Sequence, residues 1–134
     1  MKILVADKVS PHMIDDLNAL GAIVAYEPDA TADNLPARMG DTKVLVVRSK
    51  KVTAEAIKAA KSLSLIVRAG AGVNTIDLEA ASKQGVYVAN CPGKNTDAVA
   101  ELAIGLLIAC DRGIADSIRP PWKMPLPPRE SRLA

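Results

Sequence analysis

Apolar positions in this chain fall into short aliphatic and β-branched runs, separated by stretches in which they recur at helical spacing. Lys2–Ala6 reads as a first strand. Ser10-Pro11 supplies a capping hydroxyl followed by proline at the first helical position, and Met13, Ile14, Leu17 and Leu20 then share one face until Gly21. Ala22–Tyr26 is a second strand. Thr31 is placed to cap a short helix through Ala37, Arg38 and Met39, which Gly40 ends. Val44–Val47 is apolar at every position, as in a parallel strand buried on both faces. Thr53 caps the next helix, whose Ala56, Ile57 and Ala60 face inward. Leu65–Val67, a helix over Asp77–Gln84 stopped by Gly85, and a strand over Val86–Ala89 follow. Asn95 or Thr96 opens a long helix to about Arg112.

Alternation of five strands with helices implies an α/β fold, a doubly wound parallel sheet. Right-handed crossovers favour the flavodoxin-like order 2-1-3-4-5 with a long C-terminal linking helix. The expected organisation is a domain over 1–95, the linking helix over 96–114 and a proline-rich irregular tail over 115–134. Five of the nine prolines fall within Arg119–Pro128, which excludes helix there and favours extended chain, a linker, or sequence foreign to the fold.

Composition narrows the possibilities. A length of 134 residues suits one α/β domain, and 49% hydrophobic with 24% charged residues is a globular mixture. The longest apolar stretch, Ala98–Cys110, contains Glu101 and is too short to cross a bilayer. The run at the N-terminus breaks at Asp7, far short of a signal core, so a cytoplasmic protein is expected. A net charge of +2 gives no reason for nucleic acid or a membrane as partner, and one Trp and two Tyr give no platform for stacking bases. Cys91 and Cys110 lie in different elements without a metal or disulfide pattern, and buried or half-buried thiols are expected.

In an open parallel sheet, ligands bind beyond the carboxyl ends of the strands. Those ends read Asp7-Lys8, Arg48-Ser49-Lys50, Arg68-Ala69-Gly70-Ala71-Gly72 and Asn90-Cys91-Pro92-Gly93-Lys94-Asn95. Arg48, Lys50, Arg68 and Lys94 would therefore share one rim with a glycine-rich turn, an arrangement that attracts a small carboxylate or phosphate. Solvated surface cations account for the same residues equally well. Gly70-Ala71-Gly72 fails the dinucleotide fingerprint, because Thr75 stands at the third glycine position and the last strand ends in Asn90 rather than an acid. A phosphorylated receiver is excluded by Arg48 at the place of its aspartate, and a flavin site is disfavoured by the scarcity of aromatic residues. His12, the sole histidine, sits in the first turn of a surface helix with no partner for acid–base work.

Four motifs carry a resemblance. Val46-Val47-Arg48-Ser49, Val67–Leu78, Val88–Thr96 and Ala100-Glu101-Leu102, in this order and spacing, resemble the NAD-dependent D-2-hydroxyacid dehydrogenases, and among them most the D-3-phosphoglycerate dehydrogenases. The resemblance runs from residue 1 to about Arg112 and covers the family's flavodoxin-like substrate-binding lobe. It implies that main-chain amides around Ala69, Gly70 and Ala71 hold the substrate carboxylate. It places Arg48 and Ser49 near the far end of the substrate, where a 3-phosphate needs a guanidinium fork. Arg68 and Asn95 would line the same cleft, Asn95 at a helix N-terminus.

The family's nucleotide fingerprint and its catalytic Arg, Glu and His have no counterpart among these residues. No catalytic, cofactor-binding or metal residue is expected here; NAD belongs to the full-length parent, and this stretch alone should be inactive. The parent would oxidise 3-phosphoglycerate in serine biosynthesis, with glycerate or lactate as nearby substrates. An alternative of another class is a non-catalytic small-anion-binding or oligomerisation module. The long helix is apolar nearly all round (Val99, Leu102, Ala103, Leu106, Leu107, Ala109), so a homo-oligomer formed through it is expected.

Overall fold

The computed structural model describes residues 1–118 and divides into two compact units, Met1–Lys94 and a second that begins at Asn95. The first unit is built from β1 (Lys2–Val5), α1 (Pro11–Ala19), β2 (Ile23–Tyr26), α2 (Leu35–Met39), β3 (Val44–Val47), α3 (Ala54–Ala59), β4 (Leu65–Arg68), α4 (Leu78–Lys83) and β5 (Tyr87–Ala89). The five strands pair in parallel in the order β2-β1-β3-β4-β5. This is the doubly wound order expected from the alternation of elements.

The sheet is covered unequally. One face carries Leu4, Leu45, Val47 and Ile66 against Leu35 and Met39 of α2, Ala56 and Ile57 of α3 and Ala81 of α4. Leu45 and Ile66 are wholly inaccessible, and each such aliphatic side chain stabilises the fold by about 1.5–3 kcal/mol through removal from water. The other face packs Ile3, Val5, Val44 and Val46 under Met13, Ile14 and Leu17 of α1. On that face Leu65 and Val67 of β4 are only half-buried, and Tyr87 of β5 is 78% exposed. Gln84 ties α4 to α3, donating from Nε2 to the carbonyls of Ile57 (2.9 Å) and Ala60 (3.0 Å).

Local signals act in part as read: Ser10 precedes α1, with Pro11 at its first position, but its hydroxyl makes no capping bond. The Thr53 hydroxyl accepts the N–H of Ala56 at the head of α3 as expected, whereas Asp77, read as the first helical residue, stands outside α4 and caps it by accepting the N–H of Ala80. Thr31 differs. It does not cap α2; it exchanges hydrogen bonds with Asn34, giving its N–H to Asn34 Oδ1 (2.7 Å) and accepting the N–H of Asn34 on its hydroxyl (3.4 Å). The exchange builds a turn, and the helix begins one residue later with Pro36 in its first turn. The thiols of Cys91 and Cys110 are both exposed, contrary to the expected burial. Cys91 lies in the loop after β5 and Cys110 in the last turn of a helix without buried residues, so neither meets a core.

The second unit holds α5 (Thr96–Asp111) and a helical turn α6 (Ile114–Ser117), the latter where irregular chain was expected. Gly113, in the left-handed conformation at φ 63°, separates the two. The extended chain expected over Arg119–Pro128 lies outside the described residues. No described helix is long and apolar enough to cross a membrane.

Candidate functional site: the strand-end rim

Within the first unit, the loops that leave β1, β3, β4 and β5 are joined by hydrogen bonds into one rim. Asp7, immediately after β1, is its innermost member and is only 6% exposed. Its Oδ2 accepts the main-chain N–H groups of Arg48 (3.0 Å), Ser49 (2.6 Å) and Lys50 (3.0 Å), and its Oδ1 accepts that of Lys8 (3.1 Å). The Ser49 hydroxyl also points to this carboxylate, 3.2 Å from Oδ2. Burial pushes the Asp7 carboxyl up, but the N–H groups of Ser49, Arg48, Lys50 and Lys8 outweigh it, and the net effect holds the group below the ordinary aspartate value. Asp7 is therefore a carboxylate at neutral pH.

Arg68 provides the next link. Its Nε donates to the Arg48 carbonyl (3.1 Å) and its Nη1 to the Gly72 carbonyl (2.6 Å), so one guanidinium braces the loop after β3 against the glycine turn after β4. The glycines make room for it. A Cβ on Gly70 would stand 3.1 Å from Nη1 of Arg68, and one on Gly72 would stand 3.3 Å from the same atom. Farther along, Asn90 Nδ2 donates to the Ala71 carbonyl (2.7 Å) and the Cys91 N–H to that of Gly70 (3.0 Å).

Several expected site residues meet here. Arg48, Ser49, Lys50, Arg68, Ala69, Gly70 and Ala71 all stand on the rim, while Asn95 begins the second unit as the N-cap residue of α5, with no side-chain capping bond. The turn's amides are not equivalent. Ala69 gives its N–H to Val47 (2.8 Å) and Gly70 gives its own to the Arg68 carbonyl (2.8 Å), whereas no hydrogen bond is described for the N–H of Ala71 or Gly72. These last two are the donors an incoming anion finds available. Arg48 is exposed, and the hydrogen bonds described for it are those of its main chain. Ion pairs among the described residues are Lys2–Asp41, Arg38–Glu27 and Lys83–Glu79, so the rim cations Arg48, Lys50 and Arg68 keep their charge unpaired. His12 is exposed on α1. No group of metal-ligating side chains occurs among the described residues.

Sequence reasoning named Asp7 only as a strand end and passed over its role. The signal present was an acid where a parallel strand meets its loop; three of the four amides it holds lie 41 to 43 residues away.

The turn does not suit a dinucleotide. A pyrophosphate needs glycine-rich chain running straight into a helix N-terminus. Here the Arg68 guanidinium lies against both glycines, and the chain after them forms a bridge from Ile76 to Val52 before α4 starts. This turn therefore lacks the geometry of the dinucleotide fingerprint.

The description "D-isomer specific 2-hydroxyacid dehydrogenase, catalytic domain" matches residues 3–119. The chain belongs to this family. Among members of the D-isomer specific 2-hydroxyacid dehydrogenase family, a D-3-phosphoglycerate dehydrogenase of Archaeoglobus fulgidus is 42% identical over 120 residues, which is 89% of this chain and 23% of the relative. A hydroxypyruvate reductase of Thermotoga maritima is 49% identical over 84 residues, 62% of this chain and 28% of that protein. The chain thus spans about a quarter of the length of these curated relatives. An NAD+-bound 3-phosphoglycerate dehydrogenase structure from Entamoeba histolytica superposes with a TM-score of 0.72 at 35% identity, covering 81% of this chain and 38% of that one. These relatives are named as two dehydrogenases and a reductase, and they lend no support to a free-standing anion-binding or oligomerisation module.

Proposed function

We propose that this chain forms the substrate-binding lobe of an NAD-dependent D-2-hydroxyacid dehydrogenase that oxidises 3-phosphoglycerate, the entry step of serine biosynthesis. The observation that carries the reading is the rim itself, where an exposed, unpaired Arg48 shares a braced set of loops with the unused N–H groups of Ala71 and Gly72. Such N–H groups suit the carboxylate common to all 2-hydroxyacids, and a guanidinium suits the phosphate that distinguishes this one. The similarity to D-3-phosphoglycerate dehydrogenases supports the same choice. The lobe binds and orients the acid; NAD, as hydride acceptor, would be held by residues of the whole enzyme other than these. Two exposed, unpaired thiols fit a reducing cytoplasm.

Titration of the isotopically labelled chain with 3-phosphoglycerate and with D-glycerate at low salt tests the reading. Amide shifts gathered at Arg48–Lys50 and Ala69–Gly72, with millimolar affinity as the order of magnitude for a lone lobe and 3-phosphoglycerate bound more tightly, are the expected result. Stronger binding of D-glycerate would point instead to a substrate without phosphate, as the name of the Thermotoga relative suggests for that protein. Absence of any shift would remove the claim that this lobe recognises substrate unaided.

The whole protein is also proposed to self-associate through α5. Leu102, Leu106 and Leu107 are 57–70% exposed there, and apolar surface of this extent is removed from water by association. Sedimentation velocity should show the mean mass rising with concentration, and a monomer at every concentration would refute the assignment.

A further inference from the structure

We infer that Asp7 is a positioning residue of the anion-binding rim: its carboxylate fills the nest of consecutive N–H groups at Arg48, Ser49 and Lys50, so the loop offers a ligand the Arg48 side chain instead of its own amides. The inference rests on the substrate-lobe reading and deepens it. It assigns Ser49 to the clamp around Asp7 rather than to the substrate.

Three successive main-chain N–H groups converging on one point form a concavity that attracts an anion. In this loop they converge on a single oxygen, Asp7 Oδ2, at 3.0, 2.6 and 3.0 Å. The Lys8 N–H and the Ser49 hydroxyl bring the donors around the carboxylate to five. A carboxylate offers about four such positions, so this one is saturated. A phosphate arriving at the rim finds those amides engaged and the serine hydroxyl turned inward.

The same bonds fix where Arg48 starts. Its N–H is held by Asp7 and its carbonyl by Nε of Arg68, so the main chain is gripped on both sides of the Cα from which the exposed guanidinium extends. Loss of the carboxylate should therefore harm recognition of the end of the ligand that Arg48 reads. The carboxylate end, read by Ala71 and Gly72, should be spared. A role confined to stability would weaken both ends alike.

Asp7→Asn keeps the size of the side chain and one accepting oxygen but turns an NH2 donor toward N–H groups. The labelled wild type and this variant would be titrated with 3-phosphoglycerate and D-glycerate. The expected result is about a tenfold loss of affinity for 3-phosphoglycerate, a loss below twofold for D-glycerate, and shifts at Ala71 and Gly72 that persist. Equal losses for the two acids, or none for either, would overturn the inference.

A second readout needs neither ligand nor variant. In an acid titration of the free wild-type chain, the Asp7 carboxyl carbon and the amides of Arg48, Ser49 and Lys50 should move with one common midpoint. Amides that ignore the Asp7 titration would equally overturn the inference. A wild type that binds neither acid would fail the substrate reading, and the acid titration would still decide whether Asp7 sets the loop.

Discussion

Asp7→Ala should lower the unfolding free energy of the first unit by about 3 kcal/mol, the largest stability loss expected from any polar substitution on the rim. The change strips an acceptor from four main-chain N–H groups and a hydroxyl. Each donor left dry costs about 1–3 kcal/mol, but Ser49 at the mouth is exposed and admits water, which reduces the sum. For a unit of this size the loss corresponds to roughly 10–20 °C in melting temperature.

The loss should depend on pH with a definite sign. Because the folded state holds the Asp7 carboxyl below its ordinary value, the stabilisation is fully present above the ordinary aspartate range. It declines as pH falls through the depressed folded value. The gap between wild type and Asp7→Ala should thus be widest at neutral pH and narrow in acid. Asp41, hydrogen-bonded by Lys2, and Glu55, bonded to its own main chain, are depressed in the same direction. Both chains share them, so the difference isolates Asp7. Denaturant melts of the pair at neutral and strongly acid pH provide the check, and a gap that widens in acid would contradict the assignment.

Arg48→Ala should have the largest effect on binding. The substitution removes the exposed guanidinium but leaves the Arg48 main-chain bonds to Asp7 and Arg68 in place, so the loop keeps its shape. Losing one charge-assisted contact to a phosphate, worth about 1.5–3 kcal/mol, predicts a ten- to hundredfold weaker 3-phosphoglycerate complex. D-glycerate, with no phosphate, should bind within about twofold of wild type. Raising salt should shrink the difference between the acids in the wild type and leave the variant nearly indifferent. Calorimetric titration of both acids against both proteins measures all of this. A variant that keeps its preference for the phosphorylated acid would move that role to Lys50 or Arg68.

Much of the frame was legible because its causes are local or periodic. Val44–Val47 declares a doubly covered strand by having no polar position, and Thr53 caps a helix within three residues of itself. Right-handed crossovers left few strand orders, and the flavodoxin-like one preferred among them is the one observed. Thr31 was misassigned because its nearest partner, Asn34, competes for the same short-range bonds, and residue type alone does not rank the two. The rim's members were also legible, since parallel strands bring their carboxyl ends together. Their division of labour was not. Whether the N–H of Ala69 serves the sheet or a ligand depends on Val47, across the β3–β4 ladder, and the anchoring of Arg48 depends on an acid 41 residues earlier. Periodicity reports which face a residue occupies and is silent on the partner it meets there.

The hydrogen bonds that run from Asp7 through Arg48 and Arg68 to Gly72, with Asn90 holding Ala71 of the same turn, also set the speed at which the rim can respond. Loops joined in this way do not rearrange one at a time, because moving any one breaks bonds to its neighbour. Recognition at such a surface resembles a key meeting a cut lock more than a hand closing on a ball. Its association rate should be set by diffusion and charge, with affinity differences between related acids expressed in how fast each one leaves.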